Sequence, residues 1–86
     1  MAFVYILKDD AGRFYVGSTA NLQKRLLRHR QGSTHTTKRM KNPHLVFSQK
    51  YESLEIARRI ERKIKKLKRR DYIEKMVSGG YIKLTP

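Results

Sequence analysis

Short apolar runs separated by a turn signal stand near the start of the chain, and they predict a β-hairpin. Phe3–Leu7 is a run of aromatic and β-branched residues, which is typical of a strand covered on both faces. Asp9–Gly12 is rich in turn-forming residues, and Arg13–Gly17 follows as a second strand-like run. Residues 3–17 therefore predict two antiparallel strands joined by a tight turn.

The length of this turn decides which side chains meet across the hairpin. A three-residue loop, Asp10–Gly12, would place Gly12 in the left-handed region of a type I turn with a bulge. Leu7 would then lie opposite Tyr15, and Tyr5 would lie diagonally across from Tyr15 on the same face. A four-residue loop would put the two tyrosines on opposite faces. We predict the three-residue loop.

The rest of the chain predicts a third strand and three helices. Ser53 is a suitable N-cap for the longest helix, whose apolar stripe has helical spacing and consists of Ala57, Ile60, Ile64 and Leu67. The first helix is predicted to follow one of several possible N-caps in Ser18–Asn21 and to end at about Arg30. The other predicted bounds are a loop over residues 32–43, His44–Tyr51 for the strand, Leu54 to about Arg69 for the long helix, and Arg70–Val77 for the last helix, which Ser78–Gly80 breaks.

These elements predict one α/β domain, with a three-stranded antiparallel sheet flanked by helices. We expect the domain to occupy residues 1–86, with its core at about residues 3–77 and a C-terminal tail at 78–86. No internal repeat or linker divides the sequence.

The net charge narrows the class of partner. Among 86 residues, 21 are Lys or Arg and 7 are Asp or Glu, which gives a formal net charge of +14. So many like charges repel one another in a compact chain, and proteins with such an excess usually bind a polyanion, most often nucleic acid. An anionic membrane surface fits less well, because the basic helix offers only Ala, Ile and Leu as apolar anchors.

Composition also excludes several kinds of site. The chain has no Cys, so disulfides and thiolate zinc sites are excluded, and the spacing of His29, His35 and His44 matches no zinc finger. The apolar start is too short to span a bilayer, and no basic region precedes it. We expect a cytoplasmic protein with no membrane partner.

The long predicted helix carries the most unusual local charge pattern. From Arg58 to Arg70, nine of thirteen residues are Lys or Arg, and Glu61 is the single acid among them. This pattern is compatible with a phosphate-facing surface. It is also compatible with a solvated charged face in which Glu61 forms an ordinary helical ion pair with Lys65.

Two short signatures, and the residues that follow them, resemble the GIY-YIG nuclease family. Phe3–Tyr5 stands at the first signature and Tyr15–Gly17 at the second, with Phe in place of Gly and Val in place of Ile. The resemblance covers about residues 3–75. Within the family, the sequence is similar to the small stand-alone bacterial branch, which resembles the nuclease domain of the excision-repair incision subunit. The other matching residues are Ser18, Thr19, Asn21, Leu22, Arg25, Leu26, His29, Thr37–Arg39, Pro43, Leu45, Val46, Ala57, Glu61, Ile64 and Lys65.

The resemblance implies a one-metal site for phosphodiester hydrolysis. Glu61 would ligate Mg²⁺ or Mn²⁺, and Arg25 would neutralise the scissile phosphate. Tyr5 would be the general base, which requires nearby cations such as Lys8 to lower the pKa of its phenol. The remaining implied residues are Tyr15, which would orient water or phosphate, and His29, which would be a hydrogen-bond partner or second base. Taken singly, each side chain also has a purely structural interpretation.

Basic side chains near this site are expected to bind the DNA backbone, which carries no base sequence by itself. They are Lys38, Arg39, Lys41, Arg58, Arg62 and Lys65. The sequence and the resemblance thus predict a metal-dependent DNA endonuclease with weak sequence preference, or with a preference for single-stranded or branched DNA. Repair, defence and mobile-element roles stay open.

Two alternatives stand beside the endonuclease: a non-catalytic nucleic-acid-binding module on the same fold, and an RNA-binding accessory protein. One departure from the family pattern bears on these alternatives, because the missing residue is either dispensable in this branch or its absence weakens nuclease activity. Many relatives have an Asn near the C-terminal end of the domain, whereas this chain has only Asn21 and Asn42.

Overall fold

The computed structural model describes residues 1–30, 40–67 and 70–82, with the side chain of Arg30 excepted. Within these residues the chain forms a three-stranded antiparallel sheet of order β2-β1-β3 and three helices. The elements are β1 (Ala2–Lys8), β2 (Phe14–Thr19), α1 (Leu22–Arg30), β3 (His44–Tyr51), α2 (Leu54–Leu67) and α3 (Arg70–Gly79). The predicted α/β fold is confirmed.

The central strand β1 is covered on both faces, as its sequence predicts. Val4 and Ile6 belong to the main hydrophobic core together with Ile60 of α2. Because side chains alternate along a strand, Tyr5 points to the opposite face, where it contacts His29 of α1. Burial on both faces explains why β1 lacks the polar alternation of a half-exposed strand.

The hairpin turn has the predicted three-residue geometry. Gly12 has a φ of 82°, in the left-handed region, and its amide donates to the Asp9 carbonyl at 3.0 Å. Leu7 lies opposite Tyr15, and the rings of Tyr5 and Tyr15 are 6.2 Å apart, so both tyrosines lie on one face of the hairpin. Glycine tolerates this φ because it has no Cβ.

Helix α2 packs on the sheet through the predicted apolar stripe, with one exception. Ala57, Ile60 and Ile64 are buried, but Leu67, the last member of the stripe, is 39% exposed. Leu67 is the last residue of α2 and lies beyond the core. The helix begins as predicted, because the Ser53 hydroxyl accepts the amide proton of Ile56 at 3.2 Å.

The last helix is longer than predicted. It continues past Val77 to Gly79, and Gly80 then ends it with a φ of 83°. A glycine at a helix C-terminus commonly adopts this left-handed conformation, so the break falls at the second glycine of the pair. Across the described ranges, no helix is long and apolar enough to cross a membrane.

A buried carboxylate holds the hairpin turn against the segment before β3. Asp9 is 2% exposed, and its side chain accepts hydrogen bonds from the Arg13 amide at 2.7 Å, the Arg13 Nε at 3.0 Å and the Lys41 amide at 3.1 Å. Burial alone would raise the pKa of Asp9, but these hydrogen bonds and the Arg13 charge outweigh it and hold the pKa below its usual value.

The lowered pKa of Asp9 predicts how stability depends on pH. A group with a depressed folded-state pKa stabilises the fold above its unfolded-state pKa, and this contribution disappears as pH falls through the folded-state value. We expect Asp9→Asn to be less stable than the wild type at pH 7, because the amide would place an N–H group against these donors. The difference should shrink below about pH 4 in thermal melts monitored by circular dichroism.

Asp10→Asn is the matched control, because it removes an exposed carboxylate from the same turn. A stability difference between the Asp9→Asn variant and the wild type that stayed constant from pH 7 to about pH 2 would contradict the assignment to carboxylate ionisation.

Candidate active site

A cleft of about 540 Å³ opens where the hairpin, α1 and α2 meet. In the described sheet β2 is an edge strand, so side chains from both of its faces reach the same opening. The lining residues are Tyr5, Tyr15, Gly17 and Ser18 from the hairpin, Arg25 from α1, and Arg58, Glu61 and Arg62 from α2. Four of the six implied catalytic residues therefore line one cleft, which leaves His29 and Lys8.

His29 lies behind the cleft wall and contacts both tyrosines. It is 3% exposed, and its Nε2 is 2.9 Å from the Tyr5 hydroxyl. Its ring centroid is 5.6 Å from that of Tyr5 and 5.2 Å from that of Tyr15, in edge-to-face arrangements. The structure thus brings the three aromatic groups into one packed cluster in which each ring contacts the other two.

Lys8 does not join this cluster. Its Nζ lies 5.5 Å from the ring centroid of Phe14, and it is not among the residues that line the cleft. Lys8 stands at the end of β1, directly opposite Phe14, so the strand register directs it away from Tyr5.

The electrostatic environment of Tyr5 differs from the expectation. Burial, the neighbouring Tyr15 and a hydrogen bond shared with Tyr15 raise the pKa of Tyr5 well above its usual value, and the positive charge of Arg25 lowers it only in part. The prediction that nearby cations lower the pKa of this phenol is therefore wrong for the protein alone. The physical reason is that Tyr5 has no exposed surface, so removal from water dominates.

The pKa of His29 moves in the opposite direction. Burial and the nearby Arg25 charge both disfavour the imidazolium and lower the pKa of His29 below its usual value. The imidazole is therefore neutral at pH 7, and it can accept a proton.

Gly17 allows Tyr5 to occupy its position. The two residues are directly opposite in the β1–β2 register, and a Cβ on Gly17 would lie 2.5 Å from the Tyr5 hydroxyl and 2.6 Å from the ring carbon that bears it. No carbon atom fits at such distances. The glycine of the second signature thus provides the space for the tyrosine of the first.

Glu61 presents its carboxylate at the cleft and holds two partners. Ser18 Oγ donates to Glu61 Oε1, and Lys65 Nζ lies 2.7 Å from Oε2. The Glu61 side chain is 19% exposed, whereas that of Lys65 is 50% exposed. The ion pair that the sequence offers as a structural explanation for Glu61 is therefore present, and the carboxylate lines the cleft as well.

Glu61 is the carboxylate in the cleft lining that could hold a divalent cation. No group of three or more His, Asp or Glu side chains gathers anywhere in the described residues, so a closed protein cage is not formed there. Mg²⁺ is commonly held by one or two carboxylates, and waters and substrate phosphate complete its shell. Glu61 supplies one hard oxygen donor of this kind.

The predicted DNA-binding residues have different positions. Arg58 and Arg62 line the cleft, and Lys65 stands beside it through its ion pair with Glu61. Lys41 is exposed, but its described contacts are backbone bonds to the hairpin turn rather than to the cleft. The last two, Lys38 and Arg39, lie outside the described residues.

Sequence reasoning assigned no role to Ser18, which fixes one oxygen of Glu61. The two residues are 43 positions apart, and a serine near the end of a strand carries no local signal that identifies a distant carboxylate partner. Alternation along β2 does place Ser18 on the same side as Val16, which contacts the core that α2 covers.

The cleft gathers a carboxylate, guanidinium groups and two phenols. These are side chains that can bind a phosphate group and assist hydrolysis of a phosphodiester bond. The chain matches the GIY-YIG catalytic domain family over residues 1–75. It therefore belongs to the GIY-YIG family of nuclease domains.

A solved structure supports the same fold. The chain is similar to a UPF0213 protein from Bacillus halodurans whose structure was determined in solution by NMR, with 32% sequence identity and a TM-score of 0.58. The match covers 91% of this chain and 84% of that chain. No curated protein matches the sequence significantly.

The contact between Gly17 and Tyr5 gives a prediction. Gly17→Ala should displace the Tyr5 ring, break its hydrogen bond to His29 and destabilise the fold by about 1–3 kcal/mol, the usual cost of overpacking. Chemical denaturation would measure the loss, and NMR shifts of the His29 ring would report the broken hydrogen bond.

Gly79→Ala is the matched control, because a Cβ there has no atom within 4 Å. Its stability should equal or slightly exceed that of the wild type. Equal stability and unchanged His29 shifts in the Gly17→Ala variant would contradict the steric argument.

Proposed function

We propose that this protein is a divalent-metal-dependent endonuclease that hydrolyses phosphodiester bonds of DNA with little sequence preference. The observation that carries the proposal is the position of Glu61. Its carboxylate lines the same cleft as Arg25 and the two tyrosines, on a helix that otherwise exposes mainly cations there. A purely structural ion pair with Lys65 would not require the carboxylate to face this cleft.

The arginines would bind and polarise the scissile phosphate. Arg25, Arg58 and Arg62 approach the cleft from two helices, so a phosphate between them would meet guanidinium groups on more than one side. Planar guanidinium groups match the geometry of phosphate oxygens and stabilise the charge that develops on them during attack.

Hydrolysis also needs a group that removes a proton from the attacking water. A phenolate at Tyr5 is unfavourable, because burial raises the pKa of this residue. A relay avoids the phenolate: the Tyr5 hydroxyl gives its own proton to His29 Nε2 while it accepts another from the side of the cleft. Each proton gained by the phenol is matched by one lost, and the charge rests on His29.

Tyr15 would be the entrance to this relay. Tyr5 is fully buried, whereas Tyr15 is only partly buried, lines the cleft and has its ring centroid 6.2 Å from that of Tyr5. The proton would pass from water to the Tyr15 oxygen, from Tyr15 to Tyr5 and from Tyr5 to His29. The resulting hydroxide attacks phosphorus, and the bond to the leaving oxygen breaks.

A divalent cation held by Glu61 would supply Lewis-acid polarisation of the phosphate and stabilise the leaving oxygen. Within the chain, Ser18 orients one carboxylate oxygen, and Lys65 neutralises the other. With three arginines at the same cleft, cation binding is favoured when the phosphate of the substrate is also present, because that phosphate offsets the positive field.

Low sequence specificity follows from the kind of contacts available. The side chains lining the cleft suit phosphate and water, and contacts to the phosphate backbone position a protein without reading bases.

The first test of this function uses Glu61→Gln and a panel of supercoiled, linear and single-stranded DNA. With Mg²⁺ or Mn²⁺, the wild type should cleave, and Glu61→Gln should lose at least about a hundredfold in rate, because the metal ligand is removed. Binding measured by fluorescence anisotropy should persist in the variant, since its basic side chains remain.

Glu55→Gln is the matched control. Glu55 lies on the same helix and forms the same type of i,i+4 ion pair, with Arg59, but it is remote from the cleft lining. Equal cleavage by Glu61→Gln and wild type would indicate a contaminating nuclease. Binding without cleavage by the wild type under every metal condition would favour the non-catalytic binding module instead.

The relay predicts a pH dependence. Neutral His29 is required, and its pKa lies below the usual value of about 6.5, so the cleavage rate should stay level near neutrality and fall as pH drops through that lowered pKa. Among the described residues, the charged and titratable neighbours of His29 include Arg25, Tyr5 and Tyr15. His29→Gln retains a hydrogen-bond acceptor but no proton acceptor, so the rate should fall by about 10²–10⁴.

His44→Gln provides the control, since His44 is exposed on β3 and should leave both the rate and the pH profile unchanged. If the cleavage rate of the His29→Gln variant fell at low pH in the same way as that of the wild type, His29 would be ruled out as the group responsible for the decrease.

A further inference from the structure

A second groove runs along the edge of β2 and meets the cleft at Tyr15. It has a volume of about 450 Å³, and Tyr15 lines both openings. Strand β2 contributes one wall, and α2 and α3 contribute the other. The further lining residues are Arg13, Phe14, Val16, Ile64, Lys65, Arg70 and Ile73.

Phe14 lines this groove and packs against the core, and two cations lie over its ring. Phe14 is only partly buried, and its ring centroid lies 5.5 Å from Lys8 Nζ and 5.4 Å from Arg70 Cζ. Aromatic side chains set among cations are the arrangement with which proteins bind single-stranded nucleic acid, because bases stack on the ring and phosphates meet the cations.

Lys65 connects the groove to the cleft. Its Nζ lies 2.7 Å from Glu61 Oε2, at the proposed metal ligand, and 5.6 Å from the ring centroid of Tyr15. A strand whose scissile phosphate lay in the cleft would pass Lys65 and Tyr15 and then enter the groove. The two openings therefore adjoin at Tyr15, which lines both of them.

Arg70 can exchange its present partner for phosphate. Arg70 pairs with Glu74 at 3.1 Å, and both side chains are more than half exposed, at 58% and 54%. Exposed ion pairs of this type contribute at most about 1 kcal/mol, so a nucleic acid phosphate can compete with Glu74 for the guanidinium.

We propose that this groove binds one unpaired nucleotide of the substrate strand, next to the phosphate in the cleft. Its base would stack on Phe14 in place of the Arg70 guanidinium, which would turn to hold the nucleotide's phosphate. The proposal rests on the proposed function and adds a substrate class to it. The volume lies in the range of sites that hold one small molecule, about 300–1,000 Å³, so the groove suits a single nucleotide rather than a duplex. Single-stranded, frayed or branched DNA provides such a nucleotide.

An extended peptide paired with the edge of β2 is the other occupant that this geometry allows. The charges favour nucleic acid, because Arg13, Lys65 and Arg70 line the groove and the whole chain carries a net charge of +14.

Photocrosslinking tests the position of the base directly. The full chain with Glu61→Gln, which prevents cleavage, is mixed with single strands that carry 5-iodouracil at one position each, and crosslinks are mapped by mass spectrometry. We expect a crosslink to residue 14 from one position. It should persist in Phe14→Tyr, which keeps the ring, and disappear in Phe14→Leu, which keeps only apolar bulk.

Affinity measurements separate stacking from general loss of charge. Single-strand affinity, measured by anisotropy, should fall by about tenfold in Phe14→Leu and remain near wild type in Phe14→Tyr, while duplex affinity changes little in both. Arg70→Gln should weaken single-strand binding more than Arg59→Gln does. Arg59 is the matched control, because it has the same i,i+4 pairing and similar exposure but lies outside the groove lining.

Several results would overturn the groove assignment. The first is the absence of a crosslink to residue 14 in the protein that retains Phe14. The second is equal single-strand affinity in Phe14→Leu and the wild type, with both shown to be folded by thermal melts. The third is an equal loss of single-strand affinity in Arg70→Gln and Arg59→Gln. Competition by a short extended peptide, without any binding of single strands, would assign the groove to a protein partner instead.

These outcomes are distinct from failure of the proposed function. Metal-dependent cleavage with no crosslink to residue 14 keeps the endonuclease and removes the nucleotide site. A crosslink and the expected affinities without cleavage under any metal condition keep the site and remove the endonuclease.

Discussion

The register between β1 and β2 is the constraint on which the whole site depends. The turn closed by Gly12 places Tyr5 directly opposite Gly17, and only the missing side chain at Gly17 leaves room for the phenol. A slip of one residue would turn Tyr15 to the other face and separate the two rings. Asp9 reinforces the register, because its buried carboxylate ties the turn to the segment before β3.

Most of the fold could be predicted from the sequence, because its elements are specified locally. The unbroken apolar run of β1 indicates a strand that is buried on both faces. Ser53 indicates where α2 begins, and the stripe through Ile60 and Ile64 indicates which face of α2 is buried. The exposure of Leu67 could not be predicted in this way, since the end of the core depends on how far the sheet extends beneath the helix. The periodicity of apolar residues predicts which face of a helix is buried, but not how far the sheet beneath it extends.

The site could be predicted only in part, and mainly through the family resemblance. The side chains lining the cleft include Tyr5, Tyr15, Arg25 and Glu61, as expected, but their electrostatics emerge from packing. Complete burial of Tyr5 reverses the expected direction of its pKa shift, and only the tertiary structure shows this. The hydrogen bond from Ser18 to Glu61 likewise joins segments too distant for any local pattern to connect.

That long-range bond has a consequence for the order in which the site is completed. The tyrosines and Arg25 come from the first part of the chain, whereas the carboxylate comes from α2, 43 positions after Ser18. During synthesis, a chain that had emerged only as far as β3 would carry cationic and phenolic groups without the carboxylate. Such a nascent chain could adhere to a polyanion but not cut it on the proposed mechanism. Docking of α2 would thus act as a maturation step that is built into the direction of translation.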